Sequence, residues 1–242
     1  MIPKIIHYVW LGHKPKPKKI KKCIKSWKKF CPDFQILEWN ESNFDITSNK
    51  FVKDAYCDGK YAFASDVIRL EILYKFGGIY VDADVEFLKP IDDLLENEAF
   101  VGFEDSTYVN SGQIFASVAN NNLIKNHIAL YDSISFYDIK NISEITCPRI
   151  FTKLLVDKGL KLNGSEQIIE GLQVYPNDYF NPFDTKTGKM IKTENSYSIH
   201  WSAHSWSNRN ICIKKLVRVC HKLFGNDCFL KIKKNLRRFY FV

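Results

Sequence analysis

No CxxC pair, no internal repeat and no low-complexity linker occurs in these 242 residues. No apolar run reaches the roughly 18 residues that a membrane-spanning helix requires. The opening MIPKIIHYVWLG lacks the charged start, long apolar stretch and small-residue cleavage site of a secretory leader. The expectation is a chain neither exported by that route nor spanning a membrane. Its seven cysteines (Cys23, Cys31, Cys57, Cys147, Cys212, Cys220 and Cys228) are odd in number and scattered. That pattern argues against a zinc site and a disulfide framework, and for free thiols in a reducing cytoplasm. At 45% hydrophobic and 14% aromatic, the sequence has enough apolar material for one large core.

Acidic residues are scarce at the C-terminus. Across residues 213–242, nine lysines and arginines stand against one acid, Asp227, which accounts for the whole formal net charge of +8. Ile213, Leu216, Val217, Cys220, Leu223 and Phe224 fall at helical spacing among Lys214, Lys215, Arg218 and Lys222, and a second basic, apolar stretch ends in FYFV. A basic amphipathic segment of this kind suits an anionic membrane surface. No nucleic-acid motif accompanies the charge. The boundaries expected are one main domain over 1–212 and a basic helical tail over 213–242. A second run from Lys14 to Lys29 holds nine lysines and no acid. It reads either as an addition to the same surface or as the wet face of a helix carrying Ile20, Cys23, Ile24 and Trp27.

Strand and helix signals alternate. KIIHYVWL reads as a buried strand, 18–29 as a helix, FQILEW as a second strand and 51–56 as a helical segment. This order predicts an α/β fold with a mostly parallel sheet. His7, set between apolar neighbours, reads as a satisfied core histidine.

The stretch FASDVIRLEILYKFGGIYVDADVEFLKP carries the chemistry. Ser65 is a plausible N-cap for a helix over 66–75, which Gly77 and Gly78 would end. Asp66 and Arg69 share a helix face. The run GGIYV reads as a buried strand, and Asp82 and Asp84 follow it at the end where ligands bind in open parallel sheets. With Ala83 between them in an extended chain, both carboxylates would point the same way. Hard oxygen ligands in such a pair suit Mg2+ or Mn2+ bridging substrate phosphates.

The segments ASDVIRLEILYKFGGIYVDADV, IPKIIHYVWLG and YSIHWSAHSW together resemble the glycosyltransferases grouped as family 32, which include bacterial capsule and O-antigen enzymes. The resemblance implies a GT-A fold, a divalent metal, a nucleotide-sugar donor and transfer with retention of anomeric configuration. It matches Asp84 to the direct metal ligand, Asp82 to the ribose and metal shell, and Asp66 and Arg69 to the pair holding the donor sugar. Asn110 falls near that sugar, Trp10 where an aromatic stacks on the base, and Ser205 and Trp206, with Trp201, where the chain could close over the diphosphate. His200 matches a histidine that contacts the metal. Many bacterial relatives read roughly HHxxGSW, whereas Trp201 and His204 stand here in place of a histidine and the glycine, so His204 is the alternative ligand. UDP-galactose is the first-choice donor, and the acceptor implied is a saccharide on a lipid carrier at the inner face of the plasma membrane.

Two other readings weigh less. A DxD phosphohydrolase needs Thr or Val two residues on and a lysine motif, whereas Val85, Glu86 and Phe87 follow Asp84. A non-catalytic saccharide-binding protein would be expected to have lost a metal ligand. Glu86 reads as a surface partner of Lys89, and Asn110 alternatively as a turn residue capping a following helix.

Overall fold

The computed structural model describes residues 1–139, 141–184 and 189–201. His204, Ser205, Trp206 and the basic tail over 213–242 lie outside the described residues.

Among the described residues, nine strands form two sheets: β1 (Ile5–Val9), β2 (Gln35–Trp39), β3 (Gly78–Tyr80), β4 (Val85–Phe87), β5 (Ala99–Gly102), β6 (Phe115–Ser117), β7 (Gln167–Ile169), β8 (Leu172–Tyr175) and β9 (Ser198–His200). The helices are α1 (Lys18–Phe30), α2 (Lys50–Cys57), α3 (Tyr61–Phe76), α4 (Asn122–Asp132), α5 (Cys147–Asp157) and the single turn α6 (Asn177–Phe180). The large sheet has the order β2-β1-β3-β6-β5-β8-β7, and β4 pairs with β9 in a separate ribbon. Pairing is parallel for β1 with β2, β1 with β3 and β5 with β8, and antiparallel where β6 and β7 enter. Five strands therefore share one direction, giving the mostly parallel sheet expected, with β6 reversed inside it.

Both faces of this sheet are covered, as a mostly parallel sheet requires. Consecutive residues alternate between two apolar clusters: Tyr80, Val101 and Phe115 pack with α2, α3, α4 and α5, while Ile79, Phe100 and Ala116 face α1 and the ribbon. Helix α1 meets the second cluster through Ile20, Cys23 and Trp27, all buried. Helix α3 buries nine residues on several sides, including Asp66 and Arg69. A helix apolar nearly all round belongs to the core, so two charged residues on it are buried by the fold.

Two local expectations change. Helix α3 starts at Tyr61, not at residue 66, because Phe63 and Ala64 are core residues; Ser65 lies inside it, its Oγ donating to the Ala62 carbonyl at 2.7 Å. The stretch YVNSGQIFAS, 108–117, reads from its sequence as a strand interrupted by polar residues, but it is strand only over Phe115–Ser117; the polar residues Asn110 to Gln113 form a turn before it.

Gly77 closes α3 at φ 63°, and Gly78 follows at φ 95°, where an added Cβ would sit 2.8 Å from the Ile5 carbonyl and 2.9 Å from His7 Nε2. The glycine pair is thus needed both for left-handed backbone and for the close passage of β3 beside β1. His7 locks this junction. Trp39 Nε1 can only donate, so His7 Nδ1 accepts from it at 3.0 Å, and Nε2–H donates to the Gly77 carbonyl at 3.0 Å. The expected satisfied core histidine is what the structure contains.

Burial pushes the His7 pKa down to about 4, despite its bond to Gly77. Between that value and 6.5 the unfolded chain binds more protons than the folded one, so this contribution to stability is lost as pH falls. The lowered pKa corresponds to about 3 kcal/mol at full protonation. Urea unfolding at about pH 7 and about pH 4 should show this loss, and His7→Gln should be less acid-sensitive by a comparable amount. Equal acid sensitivity in the two proteins would contradict the assignment.

Candidate active site

The polypeptide leaves β3 at Tyr80 and turns sharply before β4. Val85 N–H donates to the Asp82 carbonyl at 3.0 Å, closing a β-turn over Asp82, Ala83, Asp84 and Val85. The expected extended conformation is therefore replaced by a turn. The carboxylates still converge, because β9 completes the site from a remote part of the sequence: His200 is paired opposite Val85. Ligating atoms of Asp82, Asp84 and His200 lie within 4.8 Å of one another. His200 Nε2 is 3.4 Å from Asp84 Oδ1 and 3.7 Å from Asp82 Oδ2.

Burial opposes charge on His200, but Asp84 and then Asp82 outweigh it, raising the imidazole pKa to about 9. Its proton places one positive charge against the pair of acidic side chains. A divalent cation would replace that proton, since a ligating imidazole must be neutral. The donors fit: two carboxylate oxygens and one nitrogen, two of the three residues buried, suit Mn2+ or Mg2+ sharing its remaining positions with phosphate oxygens or water.

Behind the turn, Arg69 reaches from α3. Its Nη2 donates to Asp66 Oδ1 at 2.9 Å and to Asp82 Oδ1 at 3.0 Å, and its guanidinium lies 4.7 Å from the Tyr80 ring centre. Tyr80 Oη donates to the same Asp82 oxygen at 3.0 Å. Asp82 is thereby left with Oδ2 facing His200. Burial pushes Asp66 up to about 7, while Arg69 and the backbone N–H of Cys147, at the start of α5, pull the other way.

Asn110 belongs to the same cluster, but not as the cap of a following helix. Its Oδ1 accepts from Gly112 N–H at 2.7 Å, and the Gly112 carbonyl accepts from Asp82 N–H at 2.8 Å. A Cβ on Gly112 would lie 2.5 Å from Asp82 Oδ2 and 3.0 Å from Arg69 Nη1. Gly112 and Tyr80 were not singled out from sequence. The signal for the glycine was present in Asn110-Ser111-Gly112, a turn cluster interrupting an apolar run.

Trp201 and Glu86 form the outer wall. Trp201 Nε1 donates to Glu86 Oε2 at 3.0 Å, and Lys22 Nζ takes Glu86 Oε1 at 2.8 Å. Glu86 therefore pairs with Lys22, while Lys89 donates to the Glu194 carbonyl, because β4 turns Glu86 toward α1. Lys19 Nζ stands 4.6 Å from the Trp201 ring centre. Trp10 lines an open cleft with Lys16, Glu38, Asn40 and Glu41 past the ends of β1 and β2. Its Nε1 donates to the Lys14 carbonyl at 2.7 Å, which fixes the indole plane.

Gly112→Ala should weaken Mn2+ binding, measured by calorimetry, by about tenfold or more, since the new methyl displaces Asp82 Oδ2; thermal stability should fall by only about 1–3 kcal/mol. Unchanged affinity would show that Asp82 does not depend on this close approach.

Residues 17–101 match the family described as the glycosyltransferase sugar-binding region containing the DXD motif. Inositol phosphoceramide mannosyltransferase 3 of Schizosaccharomyces pombe is 36% identical over 104 residues, covering 41% of this chain and 29% of that protein. Subversion of eukaryotic traffic protein A of Legionella pneumophila is 28% identical over 119 residues, covering 38% and 18%. Each match spans less than a third of the relative's own length. The solved structure of PaToxG glycosyltransferase superposes with a TM-score of 0.54 at 23% identity, covering 65% of this chain and 70% of that one, which shows a shared GT-A fold. Asp82 and Asp84 lie inside the matched region, so residues 17–101 are similar to the glycosyltransferase sugar-binding region containing the DXD motif.

Proposed function

We propose that this protein is a metal-dependent glycosyltransferase that moves a hexose from a nucleotide-sugar to a saccharide acceptor. The observation carrying the proposal is the convergence of Asp82, Asp84 and His200 beside the buried Asp66 and Arg69 pair. A cation held by the first three residues would neutralise the charge that develops on a departing diphosphate. Asp82 and Asp84 bind and orient; Arg69 Nη2, 3.0 Å from Asp82 Oδ1, keeps Asp82 aimed.

Asp66 and Arg69 are assigned to the hydroxyl groups of the donor sugar and Asn110 to its neighbourhood, by way of the Gly112 turn. Trp10 is assigned to the base, and Ser205 and Trp206 to the diphosphate. The acceptor hydroxyl would pass its proton to the leaving phosphate on the same face, giving retention. UDP-galactose remains the first donor to test, and the mannosyltransferases among the relatives set GDP-mannose beside it.

The acceptor proposed is lipid-linked, in the synthesis of a bacterial surface polysaccharide such as capsule or O-antigen. The protein would be cytoplasmic and peripheral on the inner face of the plasma membrane, held partly by the basic tail after residue 212. Supporting this is the concentration of net charge in that tail. No helix among the described residues is long and apolar enough to cross a membrane.

Nucleotide release should be measured across a panel of UDP- and GDP-sugars with Mn2+ and with chelator. One donor should be cleaved in a metal-dependent way, with a loss of about a hundredfold or more in Asp84→Asn, the scale expected for removing a principal electrostatic contact. Absence of both release and donor binding across the panel would overturn the enzyme reading in favour of a saccharide-binding protein.

A further inference from the structure

Helix α1 presents a problem of charge. Its thirteen residues, KKIKKCIKSWKKF, contain seven lysines and no acid. Ile20, Cys23 and Trp27 form one buried stripe. At about 100° per residue, Lys18, Lys21, Lys22, Lys25, Lys28 and Lys29 fall in an arc of about 120° on the opposite side, along a rod about 20 Å long. All six are exposed. Lys22 takes Glu86, but Lys18, Lys21, Lys25 and Lys28 have no carboxylate partner among the described residues. Nearby anions are already engaged: at the far end of the helix, Asp33 and Asp92 are both held by Lys4 at 2.5 and 2.7 Å.

Like charges three and four apart on a helix repel one another, so α1 is held by the packing of its buried stripe and not by its surface. An opposing anionic surface would turn that repulsion into attraction.

One edge of the lysine face meets the candidate active site. Lys22 is bonded to Glu86, two residues beyond Asp84, and Lys19 lies against Trp201, the neighbour of His200. Whatever covers the face therefore lies alongside the mouth of the cation site.

We propose that the lysine face of α1 is a docking surface for an anionic lipid bilayer, which it sets beside the Asp82, Asp84 and His200 cluster. The proposal rests on the reading that the acceptor is presented by a membrane, but binding to lipid is measurable without turnover. The cations support a bilayer over a nucleic acid: residues 14–29 contain nine lysines and no arginine. Lysines are point charges on flexible stems that follow a diffuse field of headgroups, whereas planar recognition of phosphate and base edges favours arginine. Each lysine near an anionic leaflet adds an attraction that falls off within a Debye length.

The test is co-sedimentation of the full chain with phosphatidylcholine vesicles, with and without phosphatidylserine, for wild type and for a Lys18→Gln, Lys21→Gln, Lys25→Gln, Lys28→Gln variant. These four side chains touch neither the core nor the cation site, and unchanged Mn2+ affinity serves as the check that the fold is intact. Wild type should bind phosphatidylserine vesicles in a salt-sensitive way, and the variant should bind about tenfold or more weakly even with the C-terminal tail present. Equal binding by variant and wild type, equal binding to neutral vesicles, or binding to duplex DNA but not to vesicles would each overturn the proposal. Failure of donor cleavage with lysine-dependent vesicle binding intact would count against the enzyme reading and leave the docking surface standing.

Discussion

The candidate site depends on one buried cation, the guanidinium of Arg69. It is 3% exposed and bridges Asp66 on its own helix to Asp82 at the end of β3. Burying charges costs roughly several kcal/mol per ion, so a guanidinium here is tolerable only with carboxylate acceptors and a π face placed around it. Asp66, Asp82 and the face of Tyr80 supply them. The result is a rigid link between a core helix and the turn that carries both DXD carboxylates. Arg69 thereby stabilises a local excess of acid that the core would otherwise reject.

The same accounting applies on the other side of Asp82. Oδ1 is committed to Arg69 and Tyr80, and Oδ2 faces His200. Gly112 makes this division possible, since no side chain stands between Asp82 and the 110–113 turn. His200 arrives on β9, whose pairing with β4 fixes it opposite Val85. Its raised pKa leaves a proton where a cation is to bind. The geometry is consequently formed in advance, and cation binding needs an exchange of charge more than a movement of backbone.

The first ninety residues were legible because their periodicities are local. Ile5–Val9, Lys18–Phe30 and Gln35–Trp39 lie where the apolar spacing placed them, and Gly77 and Gly78 end α3 as their left-handed backbone requires. Asp66, Arg69, Asp82, Asp84 and His200 lie in one cluster. The turn at Asp82 was not legible, because a spacing of two brings carboxylates together in either a strand or a tight turn. Glu86 was assigned to Lys89 from proximity in sequence, but β4 belongs to a ribbon that turns it toward Lys22. The β7 and β8 hairpin, with Glu170 at φ 48° and Gly171 at φ 81°, left too short an apolar signal to be read. Gly112 matters through its contacts with Asp82, thirty positions away, and Asn110 by holding the Gly112 turn; no local pattern encodes the long-range contact.

The central claim is that Asp82, Asp84 and His200 hold a cation shared with a diphosphate. The direct measurement is Mn2+ affinity with and without a nucleoside diphosphate, in wild type and in Asp84→Asn. Two ligands sharing one ion must tighten each other's binding by the same factor. The account predicts that UDP or GDP strengthens Mn2+ binding by about tenfold or more in wild type and that this coupling disappears in the variant. Mn2+ binding that ignores the nucleotide, or coupling that survives Asp84→Asn, would contradict it.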